Sequence, residues 1–576
     1  MPVKPFGEFR PDVADYQGEH SKNVLNVVPR GDGYGPFPAF SAISLALAAP
    51  NRGYFYARKN DGSIQAFAGT SNKLYSFNNT DGSWTDVSKG GTTYTALATS
   101  AQWQFAQFNN FVFAVQQNTV PQVYDITSSN AFADLGGSPP QAAYIAIVNR
   151  FVVLSGIVAP NAYRIQWSGL NATTTWTSGV NSSDFQDLPD GGIVRGVAGG
   201  EYGTIFQDTS IRQMTFAPGS PYVFGITRVS QDDGLYAPGS LVAAGDRIFF
   251  CSPAGFKMIA PGGYPTPIGK EKVDRTFFAD VDTNNLQLMI GAHDPKQSRV
   301  YWAYKSVNGA SGFFDKILVF DWVLDKWSLI VTSGEYLASL AQPGQTLEGL
   351  DEAYTPTVSA TVTITSANPG VVSWTNHGLT PGGGVQFTTT GALPTNITPS
   401  TNYFVASAGL TANAFEISAS SGGATLSTTA GTQSGVHTGL HTNVDTIPLT
   451  SMDNISSSAI ASLSAIDTAN TLGFFTGANL EATLESPEQG ADGKRIYVDS
   501  IRPVCDAQTI FGSISKRETP MSATTYSTET QADTLSGGQC PARVSTRYAR
   551  GKIRIPSQSW TYALGIEPEV RIEGER

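Results

Sequence analysis

The chain has 576 residues, 36 basic and 47 acidic, for a net charge of −11 and a pI near 5.0. That sign excludes a free reader of DNA, whose affinity comes from neutralising phosphates, and the length exceeds one ordinary domain core. Hydrophobic residues at 40% exclude a disordered chain, while charged residues at only 14% leave a surface of Gly, Ser, Thr, Asn and Gln, as befits a member of an assembly.

Taken in order, the opening MPVKPFGEFRPD has no apolar core of a signal peptide, so synthesis in the cytoplasm is expected. Arg30-Gly31-Asp32-Gly33 reads as a turn, since no helix follows it to make a phosphate loop. Short β-type runs then dominate: NFVFAV from Asn110, RFVVLS from Arg150, GTIFQD from Gly203, RIFFCS from Arg247 and RVYWAY from Arg299. Their starts lie ~40–55 residues apart, the range of propeller blades of four short strands. Turn signals separate them, among them Asp232-Asp233-Gly234 and Pro261-Gly262-Gly263. The fold expected is all-β, a β-propeller body of six to eight blades. The longest apolar stretch, Ala142 to Gly156, is broken by Asn149 and Arg150, so no membrane anchor is expected.

From Thr357 to Leu440 the composition shifts, with Glu416 the only charged side chain. This segment reads as an inserted small β-sandwich-like domain. The expected division is 1–356 for the first part of the propeller, 357–440 for the insert, and 441–576 for propeller completion and C-terminal strands. Ser457 to Thr471 carries the best helical spacing in the chain. Strands between Arg550 and Leu564 are expected to share a sheet with the N-terminal quarter, removing open edges.

The search for chemistry finds no catalytic, cofactor-binding or metal site. His20, His293, His377, His437 and His441 show no metal spacing, and Cys251, Cys505 and Cys540 are odd in number and far apart. GxSxG and Walker sequences are absent. Asp280-Val281-Asp282-Thr283-Asn284 opens like a calcium loop, but Asn285 stands where Gly is needed and Gly291 where Glu is needed. One cluster stands out: Arg543, Arg547, Arg550, Lys552 and Arg554. It reads either as a cationic band facing DNA or a neighbouring ring, or as a strand edge whose charges deter aggregation.

Several segments resemble a family of bacteriophage proteins known as tail nozzle, tail hub or packaged-DNA-stabilisation proteins of short-tailed phages. They are NVVPRGDGYGPFP (Asn26–Pro38), GGEYGTIFQDTSIRQM (Gly199–Met214), GSLVAAGDRIFFCSPAGF (Gly239–Phe256), PIGKEKVDRTF (Pro267–Phe277), DPKQSRVYWAY (Asp294–Tyr304), LVFDWVLDKWS (Leu318–Ser328) and IPSQSWTYALG (Ile555–Gly565). The resemblance implies a virion tail protein: a propeller assembled as a homo-oligomeric, hexameric ring below the portal and adaptor ring, in contact with tail fibres or spikes. Genomic DNA would pass through its channel without sequence readout and be retained there beforehand. It implies no catalytic residues. The competing expectation is a carbohydrate-binding or glycan-degrading propeller, since the fold hosts both.

Overall fold

The computed structural model describes residues 3–14, 18–60, 62–79, 81–342, 358–420, 422–429, 431–441, 460–490, 494–533 and 537–574. Two compact units result: residues 1–342 with 461–576, and residues 343–460.

The first unit contains a seven-bladed propeller, within the six to eight expected. Five blades are contiguous four-stranded antiparallel sheets. Blade one is Tyr54–Arg58, Ile64–Gly69, Leu74–Phe77 and Trp84–Asp86; blade two is Gln104–Phe108, Phe111–Gln116, Thr119–Asp125 and Ala133–Asp134. Blade three is Ala142–Val148, Phe151–Ile157, Arg164–Trp167 and Asp184–Asp187; blade four is Val194–Ala198, Gly203–Gln207, Ile211–Phe216 and Phe224–Ser230. Blade five is Val242–Ala244, Arg247–Ser252, Gly255–Ile259 and Thr266–Pro267. Blade six is Ile290–Asp294, Arg299–Tyr304, Phe314–Asp321 and Lys326–Gly334.

Blade seven is a composite. Tyr336–Gln342 is its inner strand, followed by Ile460–Ile466, Leu472–Asn479 and, outermost, Pro38–Ala42 from the start of the chain. The register Phe475↔Phe40 and Gly473↔Ala42 closes the ring. First strands follow one another from blade seven through blades one, two and three to four, and from five through six back to seven. Blades four and five share a core of Phe206, Ile211, Leu235, Phe250 and Ile259.

Each sheet is packed on both faces by its neighbours, so middle strands read as unbroken apolar runs and not as alternation. All seven residues of Phe151–Ile157 are buried. Trp103 fills the gap between blades one and two with Phe67, Val112 and Phe132, and its Nε1 donates to the Thr70 carbonyl at 2.8 Å. Gly69 leaves room for that indole, since a Cβ there would lie 2.4 Å from its ring, and Gly53 leaves room for the Trp103 backbone. Burying such a side chain contributes about 2–3 kcal/mol.

Blade six does not stop at its fourth strand. Leu329 pairs in parallel with Leu25, and the sheet runs on through Val24–Leu25, Ala482–Glu485, Tyr548–Ile555, Phe511–Arg517 and Thr525–Tyr526. A second sheet, Cys540–Thr546, Arg495–Cys505, Ala563–Gly574, Tyr34–Pro36 and Val27–Pro29, packs on this extension through Ile496, Val498, Ile501, Ile514, Ile553 and Ile566. Ala563–Gly574 also pairs with Lys4–Pro5. Strands between Arg550 and Leu564 thus share sheets with the N-terminal quarter. They build a sandwich beside the propeller, however, and ring closure falls to Pro38–Ala42. Within 441–576, Ile460–Asn479 completes the propeller and later residues form the sandwich.

Two expectations are corrected. Ser457–Thr471 forms no helix where it is described: Ile460–Ile466 is a strand, and 457–459 lie outside the described residues. Ile460, Leu463 and Ile466 imitate a helical spacing because this strand is buried on both faces, where periodicity ceases to discriminate. Leu463 and Ala465 pack under blade six, while the Ser464 hydroxyl donates to the Ala338 carbonyl of the neighbouring strand at 3.1 Å. The insert is a closed barrel and not a sandwich. Its strand order is Val358–Ile364, Val371–Ser373, Ala414–Ser418, Tyr403–Val405, Gly384–Thr389 and His437–His441, the last pairing with the first. Closure removes the free edges that a two-sheet sandwich of six short strands would keep. Its core is Val362, Val372, Trp374, Val385, Phe387, Phe415 and Ile417.

Candidate functional site: the charged strand of the sandwich

Arg550, Lys552 and Arg554 alternate along Tyr548–Ile555, which puts their side chains on one face and Gly551, Ile553 and Ile555 on the other. The apolar face closes the sandwich core. The charged face meets glutamates that the sequence reading did not single out. Arg550 is 5% exposed and lies 3.4 Å from Glu485 and 3.6 Å from Glu488. Arg517, on the adjacent strand, reaches Glu488 at 2.5 Å, and the Tyr526 hydroxyl donates to Glu485 at 2.7 Å.

Further along, Arg554 bonds Glu529 at 2.8 Å and Glu481 at 2.9 Å, and its guanidinium covers the Phe511 ring at 4.3 Å. Those two carboxylates, Glu529 foremost, push its pKa up. Lys552 lies 3.7 Å from Glu529 and over the Tyr526 ring. Arg547 lies 3.8 Å from Glu518. Arg543, exposed at a positive φ of 51°, makes no ion pair among the described residues. The structure therefore brings Arg550, Lys552 and Arg554 together, but as half of a neutralised network with Arg543 apart from it. The spacing Glu481, Glu485, Glu488 in EATLESPE was the available signal, since it supplies acids to the strand that pairs with Arg550–Arg554.

This arrangement holds strands in register. The two most central carboxylates, Glu485 and Glu488, are 2% and 4% exposed, so no substrate reaches them. Two other buried carboxyls are shifted. Burial pushes Glu335 up to about 7 and Asp274 up to about 6. Glu335 accepts from the Asn51 N–H at 2.8 Å, and the Asn470 amide, turned nitrogen inward, donates to it at 2.8 Å. Asp274 accepts from the Phe256 N–H at 3.1 Å. Neither lines either of the two clefts described below.

Asp280 and Asp282 are each neutralised by a lysine, Lys316 at 2.7 Å and Lys305 at 2.8 Å, which suits a turn and not a calcium loop. Among the described residues no group of three or more His, Cys, Asp or Glu is placed to hold a metal. Two clefts stand out among the described residues. One, about 510 Å³, lies between the Arg30–Pro36 hairpin and the Lys296–Arg299 turn. The other, about 180 Å³, runs beside the outer strand of blade four, with Tyr202, Arg228, Asp246 and Tyr264 among its walls.

No family model matches the chain, and no curated protein matches it. Solved structures similar to it include the Cps50 (Swd1) beta-propeller domain of Myceliophteria thermophila, at 10% identity and TM-score 0.30, spanning 50% of this chain and 95% of that one. BamB from Moraxella catarrhalis, at 13% identity and TM-score 0.31, spans 55% and 93%. The computationally designed Ika8 protein, at 10% identity and TM-score 0.32, spans 53% and 95%. The strand order by itself defines the class: an all-β protein with a propeller body.

Proposed function

We propose that this chain is a structural virion protein that forms the ring-shaped nozzle or hub of a short phage tail, a conduit and plug for DNA with no catalytic role. The observation that carries the reading is where the family-like segments fall. Asn26–Pro38 is the sandwich hairpin leading into the closing strand of blade seven. Gly199–Met214 lies in blade four, Gly239–Phe256 in blade five, and Asp294–Tyr304 with Leu318–Ser328 in blade six. Ile555–Gly565 joins the two sandwich sheets. The family-like segments thus fall in blades four to seven and in the sandwich, with none in blades one to three or in the barrel. Charge supports it too. A conduit must not grip phosphates, and the one basic strand is already matched by glutamates.

A ring of identical subunits needs a heterologous contact, one face of each subunit meeting a different face of the next. Cryo-electron microscopy of virions, or of a reconstituted tail, tests the proposal. Closed rings with an axial opening of about 20 Å or more, wide enough for hydrated duplex DNA, are expected. Locating the chain in a distal appendage that degrades glycan, with one carboxylate pair essential, would replace this reading with the enzyme.

A further inference from the structure

The seams between blades are filled by apolar clusters. Blades one and two close on Phe67, Val112 and Phe132, blades two and three on Phe113, Leu154 and Trp176, and blades three and four on Phe151, Val197 and Ile205. Where a glutamine enters the body of a blade, its amide is spent on backbone: Gln116 donates to the Thr95 carbonyl, Gln122 to that of Val120 and Gln207 to that of Leu188. These are the ordinary terms on which a polar group is buried.

The seam between blades four and five departs from them. On the face that blade four turns toward blade five, three strands each change from apolar to polar within two residues: Phe206 to Thr204, Ile211 to Gln213 and Val229 to Thr227. Thr204 stands opposite Gln213 and Gln213 opposite Thr227, so the three form one polar row across the sheet. The apolar half of the face packs with Phe250 and Ile259 of blade five. The polar half fronts the cleft of about 180 Å³, whose far wall comes from two turns of blade five, Asp246 in one and Gly262, Gly263 and Tyr264 in the other. The two glycines bring no side chain to the mouth. Thr204 is only 5% exposed and lines the cleft, and neither its hydroxyl, the Gln213 amide nor the Thr227 hydroxyl has a hydrogen-bond partner among the described residues.

We propose that this cleft binds one ring of a neutral saccharide. The lining selects the ligand class. Arg228, the one cation in the wall among the described residues, is already held by Asp190 and Gln231, so a phosphate finds no unspent positive charge. Asp246 is the one carboxylate in the wall, too few for a divalent cation. What the wall offers instead is two hydroxyls, an amide that both donates and accepts, a carboxylate that accepts, and the aromatic rings of Tyr202 and Tyr264. A sugar ring carries the complement: neighbouring hydroxyls that donate and accept, and an apolar C–H face that packs on an aromatic ring. A few placed polar groups beside aromatic surface in a concave site is the usual composition of a small-ligand pocket. Nothing in the cleft performs chemistry on the sugar, and the site depends on neither the ring nor the DNA of the tail reading.

The test uses the whole chain and an array of oligosaccharides ending in each of the common neutral sugars, with inorganic phosphate as a competitor in solution. One class of terminal sugar is expected to be retained, and the free monosaccharide should bind with a Kd of about 1 mM in calorimetry. Tyr264→Ala, at a position 73% exposed, should weaken that binding about ten-fold or more. Tyr222→Ala, at a position 75% exposed and outside the cleft, should leave it unchanged. Gln213→Leu keeps the shape of the side chain and removes its amide, so it should lose the sugar while keeping the thermal transition. Retention of no sugar on the array would overturn the proposal. So would full-strength binding by Tyr264→Ala, an equal loss in Tyr222→Ala, or displacement of the bound sugar by phosphate.

Discussion

Glu335 is the clearest case of a single side chain doing structural work at a cost. It stands between blade six and the inner strand of blade seven, and it receives Asn51 from the crossover into blade one and Asn470 from the turn after Ile460–Ile466. It therefore joins three stretches of chain where the ring closes. Burial raises its pKa from 4.5 to about 7, Asp467 pushes the same way, and the Asn51 N–H pulls it back. Because the folded value lies above the unfolded one, ionisation opposes folding. The native state loses stability as pH rises from about 4.5 to about 7, and the penalty is complete above that. Glu335→Gln keeps an acceptor for Asn51 and removes the charge. It should raise stability by about 2 kcal/mol at pH 8 and add nothing at pH 4. Thermal unfolding of both proteins at both pH values checks this; an equal shift at the two would show that Glu335 does not titrate there.

The basic strand makes a second prediction at this scale. Arg550→Ala leaves Glu485 and Glu488 buried with less compensation, and breaking a buried pair in this way costs about 3–5 kcal/mol. Arg543→Ala, at an exposed site without an ion pair, should change stability by less than about 0.5 kcal/mol. Similar effects from the two would mean that the strand works as an even surface band. The five cations were legible in the sequence as a group. The acids of EATLESPE were visible as a run but not as their partners, because pairing Glu485 with Lys552 in register requires the Ala482–Glu485 strand to lie beside Tyr548–Ile555, a pairing across more than sixty residues that no local pattern announces.

At the scale of elements, the runs that the sequence marked as strands are strands: Phe111–Gln116, Phe151–Ile157, Gly203–Gln207, Arg247–Ser252 and Arg299–Tyr304 are each the second strand of a blade. Second strands have a neighbour on either side within the sheet and a blade against either face, so their composition is the most apolar. Outer strands such as Ala133–Asp134 and Thr266–Pro267 are too short and too polar to read, which is why the spacing fixed the repeat but not the count. The insert was legible by composition alone, and its closure was not. Its Val358 pairs with His441, so the barrel begins and ends at one place. In blade seven the Ser464 hydroxyl donates to the Ala338 carbonyl of the neighbouring strand, and the chain leaves the inner strand at Gln342 and re-enters the blade at Ile460. Replacing residues 343–459 with a short Gly/Ser turn should therefore leave a hairpin and an intact propeller. Hydrogen exchange across Gly199–Ser328 reads the outcome, and loss of protection there would show that the second unit supports the core of the first.

For the whole molecule, the N-terminal segment outweighs its length. Between Lys4 and Ala42 it contributes to both sheets of the sandwich, bridges the sandwich to blade six at Leu25↔Leu329, and ends as the outer strand of blade seven. Asp12 adds a clamp, accepting from the backbone N–H groups of Arg275 and Thr276 at 2.8 Å where the helix Asp274–Asp280 begins. Because the first residues complete the last blade, closure of the ring requires both ends of the chain. Removing residues 1–42 would expose the edge of Leu472–Asn479 and of Lys326–Gly334, and strip Phe6, Phe9, Val24, Val27 and Tyr34 from the shared core. Each of those five buried side chains is worth about 1.5–3 kcal/mol, a total comparable with the whole 5–15 kcal/mol by which folded domains are stable. The truncated chain should lack a cooperative thermal transition and should aggregate through its two new edges. Supplying residues 1–42 in trans as a peptide should restore protection in blade seven and in the sandwich together. Recovery of blade seven without the sandwich, measured by hydrogen exchange, would show that ring closure and sandwich assembly are separate events and that the N-terminal segment serves them independently.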